Sequence, residues 1–172
     1  MARFLRLNLS IFGCRTSHVL LALFWTVGLL LGSFTSLSAD TLLVPTMHTA
    51  LHSGMSISGL LAALLLPLLI TAFAVYIRQP LLLFPVAFVK AFLYSFTGTG
   101  LLTAFGSSAW LIRILLMFAD SLSLPLLFWV WLRVLSDDQT MALRSIAITA
   151  ALALMIGCFD YAFVSPFLAS LI

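Results

Sequence analysis

Lys90, Arg113, Asp120 and Asp160 stand inside long apolar runs of this 172-residue chain. A charge at bilayer depth is costly, so each such group needs a partner, water or a role in moving charge. Two bases and two acids so placed suit three chemistries: a proton or ion relay, a polar substrate site, or charge bridges that fix helix order and register. Depth decides how they pair. At a rise of 1.5 Å per residue, Lys90 lies about 15 Å in from Arg78–Pro80, and Asp120 about 18 Å in from the connection at 105–107. In a hydrocarbon core of about 30 Å both fall near the midplane. Arg113 is roughly 9 Å from the 105–107 side and Asp160 about 23 Å from Arg144, which puts those two together in the opposite half from Arg144. The expected pairs are therefore Lys90 with Asp120 and Arg113 with Asp160. Arg113 and Asp120 are seven residues apart and share one face of a straight helix. Balanced charges at matched depths favour bridges, with a transport path, or a charge supplied by a partner's transmembrane segment, as the alternatives.

The elements that must hold these residues follow from composition. Hydrophobic residues make up 63% of the chain and charged residues 8%, and the mean hydropathy is +1.24. A soluble domain carries roughly a quarter charged residues. The chain reads as all-α, a single integral membrane domain over 1–172. A spanning helix takes about 20 apolar residues, and five segments qualify, at about 18–37, 56–77, 80–104, 108–132 and 145–168. The connections at 78–80 and 105–107 are so short that helices two, three and four are expected to be antiparallel neighbours. Residues 38–55 form a longer polar connection.

Basic residues orient this bundle. Arg3, Arg6 and Arg15 precede the first helix, Arg78 lies between the second and third, and Arg133 and Arg144 flank the connection between the fourth and fifth. All three places fall on one side of a five-helix chain, and the connections on the other side hold no Lys or Arg. The N-terminus is thus expected inside and the C-terminus outside, with 38–55 an outer loop. SLSA at 36–39 has the small residues of a signal-peptidase site, but the stretch before the apolar run is long for a signal peptide, so the first helix is expected to be retained. The net charge of +3 comes from scattered residues, with no basic run to follow a nucleic-acid backbone.

Other signals are weaker. Gly28 and Gly32 form a GxxxG pattern, which lets helices approach closely. Gly98, Gly100 and Gly106 thin the outer end of the third helix. Both sets read as packing before dimerisation, although a homo-oligomer stays open. Pro67, Pro85 and Pro125 fall inside helices two, three and four and would kink them. Trp25, Trp110, Trp129 and Trp131 fall mostly near helix ends, as in interfacial belts. His48 and His52 have an i, i+4 spacing, but no cysteine or glutamate accompanies them, so no metal site is expected. The segment around them reads as a short amphipathic helix at the outer interface. Cys14 and Cys158, far apart, read as unpaired thiols, and no cofactor is expected. No Walker, HExxH, GxSxG or Ser–His–Asp pattern occurs, so the chain does not read as an enzyme.

VGLLLGSF at 27–34 is an apolar run with spaced glycines, and FVKAFLYSFTGTG at 88–100 sets a basic residue before aromatics and a glycine-bearing segment. With five helices in this orientation, the chain resembles the stage II sporulation protein M family over most of its length. Ala91 and the polar Tyr94-Ser95-Phe96 depart from the family's pattern. The resemblance implies a non-enzymatic scaffold of the cell membrane that helps peptidoglycan hydrolases assemble at the septum during engulfment of the forespore. The runner-up is a small transporter or permease subunit whose buried charges line a substrate or proton path. Exchanging Lys90 and Asp120 is expected to preserve fold and function in the scaffold and to abolish flux in the transporter.

Overall fold

The computed structural model describes residues 16–39, 57–106, 110–136 and 139–167. Among them every regular element is helical. The order is α1 (Thr16–Ser38), α2 (Ile57–Tyr76), a 3-10 turn (Pro80–Leu82), α3 (Leu83–Phe105), α4 (Trp110–Leu116), α5 (Phe118–Leu135) and α6 (Gln139–Phe159), which runs on into a π-helical segment (Asp160–Val164). Among the described residues five stretches are long and apolar enough to cross a membrane: Thr16–Ser38, Ser58–Tyr76, Pro80–Ala104, Phe118–Leu135 and Met141–Phe167. The outer loop with His48 and His52 lies outside the described residues but for its first two positions, and Cys14 lies outside them as well.

The turn after α2 is closed without glycine. The Gln79 amide donates to the Ala74 carbonyl (2.9 Å) and the Arg78 amide to that of Val75 (3.1 Å), the double bond pattern of a Schellman cap. Arg78 takes the left-handed position, with φ 55°, and Pro80 prevents the helix from resuming at once. Pro85, expected to kink the third helix, lies instead in the first turn of α3, where a missing N–H costs little. At its far end α3 stops at Gly106, whose φ of 71° suits glycine.

The fourth expected helix is not continuous. Met117 separates α4 from α5 with φ −100° and ψ 12°, yet Arg113 and Asp120 still share a face, since both are turned to α3, at Gly98 and Lys90. The break makes a second helix N-terminus within the segment, and Asp120 sits in its first turn, where the helix dipole favours negative charge. The fifth helix starts at Gln139, earlier than expected, which places Arg144 on the helix and not in the connection.

Packing does not follow chain order. α1 lies along α3 more closely than any other two elements lie together, while α2, α5 and α6 form a second group. Helices two, three and four do adjoin one another as expected, but the main neighbour of α3 is α1. The cause is the small-residue stripe Gly28, Gly32 and Ser36, all buried. A Cβ on Gly28 would sit 2.6 Å from the Phe88 carbonyl oxygen and 3.0 Å from Ala91 Cβ, and one on Gly32 would meet the carbonyl of Phe92. The GxxxG pattern is thus used inside the chain. Further along this seam Ser33 Oγ and Ser95 Oγ are 2.5 Å apart, and Thr99 donates to Ser33 at 3.4 Å.

The apolar core gathers where the two groups meet, around Leu21, Leu64, Leu83, Phe84, Leu127 and Trp131. Trp131 is fully buried and so does not belong to an interfacial belt, unlike the exposed Trp110 and Trp129. Its indole finds a partner indoors: Nε1 donates to Thr71 Oγ1 at 2.9 Å, and that hydroxyl donates to the Pro67 carbonyl at 2.7 Å. Trp25 meets the same ring edge-on, with centroids 6.0 Å apart.

Candidate functional site: the charges within the bundle

Lys90 lies near the middle of α3, on the face turned away from α1, and its residue is only 9% exposed. The backbones of α3 and α5 stay apart, and polar side chains span the interval. Lys90 Nζ reaches Asp120 Oδ1 at 2.6 Å. One turn on, Tyr94 and Ser121 hydroxyls are 3.1 Å apart. A turn further, Gly98 backs onto Arg113 and Met117: a Cβ there would lie 3.0 Å from Arg113 Nη2. Positions 90, 94 and 98 thus form one stripe of α3, read against the descending α4–α5 segment.

Lys90 has a second acceptor. Its ammonium donates to the carbonyl oxygen of Ala63 in α2 at 3.3 Å. Pro67 lies inside α2, and a proline removes the hydrogen bond to the carbonyl four residues back, which here is that of Ala63. In lipid such a freed carbonyl must be satisfied by a neighbouring group, and Lys90 supplies the donor. One side chain therefore joins α2, α3 and α5.

Asp120 is held by the ammonium, by the N-terminal end of α5, and by a local turn in which Ser123 Oγ donates to its carbonyl oxygen at 3.2 Å. Its side chain keeps 34% exposure, so the pair is not sealed on the α5 side.

Arg113 and Asp160 are not joined. Among the described residues the Lys90–Asp120 contact is the only ion pair, and the expected Arg113–Asp160 bridge is absent. Depth alone does not choose a partner helix: Arg113 is turned to Gly98 of α3 and not to α6. Asp160 is 3% exposed and its Oδ1 has no hydrogen-bond partner. It opens a turn closed by the Ser165 amide donating to its own carbonyl. Pro166 follows and offers no donor, so the widened turn sits where the ladder is already interrupted. The spacing of Asp160 and Pro166 was the available sequence signal for this irregularity. Gly100 is buried in α3 like Gly98, and Cys158 is an exposed free thiol. No group of three or more His, Cys, Asp or Glu residues able to hold a metal occurs among the described residues.

Comparison of the chain with protein-family models, with curated proteins and with solved structures gave no match. The described residues are all-helical, with five helices fit to span a membrane, and their interior polar centre is Lys90, Asp120, the Ala63 carbonyl and the separate carboxyl of Asp160.

Proposed function

We propose that this chain is a non-enzymatic scaffold of the cell membrane, N-terminus inside and C-terminus outside, which assembles partner membrane proteins through its outer helix faces and the 38–55 connection. The observation that carries this reading is how Lys90 is used. Its ammonium is committed to Asp120 and to the Ala63 carbonyl, a cross-brace for three helices and not a group left free for a substrate. Many large apolar side chains, among them Leu30, Phe34, Leu69, Phe73 and Phe163, face outward and offer surface to lipid or to partner helices. The resemblance to the stage II sporulation protein M family names the partner class: cell-wall hydrolases anchored at a septum.

Mild-detergent extraction from the native membrane, followed by identification of co-purifying proteins, tests the proposal. Recovery of peptidoglycan hydrolases or septal proteins supports it. Recovery of an ATPase or a solute-binding protein would replace it with the second reading, a permease subunit. That second reading has one specific observation in its favour, the buried and unpartnered carboxyl of Asp160.

A further inference from the structure

In the π-helical segment only Asp160 and Val164 are buried. Phe159, Tyr161, Ala162 and Phe163 around Asp160 are all exposed, while its own side chain turns into the bundle with Oδ1 unpartnered. The Phe118 and Phe159 rings, 5.9 Å between centroids, bring the start of α5 to this place. Asp120 follows two residues beyond Phe118.

The charged groups around Asp160 do not neutralise it. α3 contributes Lys90, already bonded to Asp120 and Ala63. α4 contributes Arg113, which makes no ion pair with Asp160. α2 carries no ionisable side chain before Tyr76 at its end, and on α6 the nearest base is Arg144, sixteen residues away. Lys90 is matched by Asp120 and Arg113 makes no ion pair with Asp160, so an ionised Asp160 would stand in the interior without a paired cation. A carboxylate so placed, without donors, takes up a positive charge in preference to remaining ionised. The smallest cation fits without any cavity.

We propose that Asp160 is a proton-binding site within the membrane, occupied as the neutral carboxylic acid when Lys90 is paired with Asp120. Binding is the reversible addition of one proton to the carboxylate, with no electron transfer and no other reactant. This inference holds for a scaffold and for a permease subunit alike.

Infrared spectroscopy of the full chain in lipid vesicles at neutral pH tests it. The wild type should show the carbonyl stretch of a neutral carboxylic acid, shifted in deuterated water and by carboxyl-13C aspartate. Asp160→Asn should lose that band while keeping its helical circular dichroism. Asp160→Glu, which retains the acid should the amide variant fail to fold, should keep a band at an altered frequency. Absence of the band from the wild type, or its survival unchanged in Asp160→Asn, would overturn the proposal. Its loss on adding sodium chloride at fixed pH would overturn it in favour of a metal-cation site.

Discussion

The ammonium of Lys90 lies 3.3 Å from the carbonyl oxygen of Ala63, the acceptor that Pro67 leaves without a helical donor. A proline in α2 and a lysine in α3 are thus two halves of one device. The proline exposes an acceptor, and the lysine meets it while holding Asp120 at 2.6 Å.

Pro67→Ala should therefore weaken the grip of Lys90 even as it repairs α2. The restored amide competes for the Ala63 carbonyl, so removing Lys90 costs less in that background. Lys90→Ala alone should lower stability by about 2 kcal/mol, less than the cost of breaking a fully buried pair because Asp120 is partly exposed. In Pro67→Ala the same substitution should cost less by about 1 kcal/mol, one hydrogen bond's worth. Unfolding in mixed micelles of the four variants of that cycle gives the answer, and equal costs would refute the shared acceptor.

Close approach of α1 to α3 gives a second expectation. Gly28→Ala and Gly32→Ala each put a methyl group against a backbone carbonyl of α3, and backbone cannot yield as a flexible side chain does. Each should destabilise by about 1–3 kcal/mol, the usual cost of overpacking, with the oligomeric state unchanged because the stripe is occupied within the chain. Thermal unfolding and size-exclusion chromatography in detergent check both halves. A change of oligomer at constant stability would place the stripe between chains instead.

Thr71 is the only hydrogen-bond partner of Trp131 among the described residues. Thr71→Val keeps the shape and strands the indole N–H in the core, which should cost about 1–3 kcal/mol. Trp131→Phe in addition should recover part of that loss, since no donor is then left unmet. The near-ultraviolet circular dichroism of the tryptophans would report the change, and additive losses would show the bond to be unimportant.

Much of this arrangement is legible in the sequence, and the illegible part has a physical cause. Hydropathy and basic residues delimit the spans, and rise per residue brings Lys90 and Asp120 to one level. Helix partners are another matter. In a membrane the lipid face is as apolar as the core, so residues such as Leu21 and Leu23 look alike although one is buried and the other exposed. Only small residues mark a contact, and Gly28, Gly32 and Ser36 do so without saying which helix they meet. The break at Met117 involves neither proline nor glycine at that position, and nothing in the spacing says that Arg113 meets Gly98 of α3 in place of Asp160. The burial of Trp131 depends on Thr71, sixty residues away, which no local pattern announces.

The claim that interior charge braces the bundle is tested most directly by a double-mutant cycle of Lys90→Ala and Asp120→Ala, read as unfolding free energy in lipid or mixed micelles. The account predicts that each single variant is strongly destabilised, that the double variant is less so than the sum, and that the coupling is about 1–3 kcal/mol. The exchanged variant Lys90→Asp/Asp120→Lys, expected from sequence to preserve the scaffold, should instead fall short of the wild type, because the Ala63 carbonyl makes the bridge asymmetric. Its carboxylate would face the Ala63 carbonyl, and its lysine would sit at the positive end of α5. Additive losses in the cycle, or full recovery in the exchanged variant, would contradict the account.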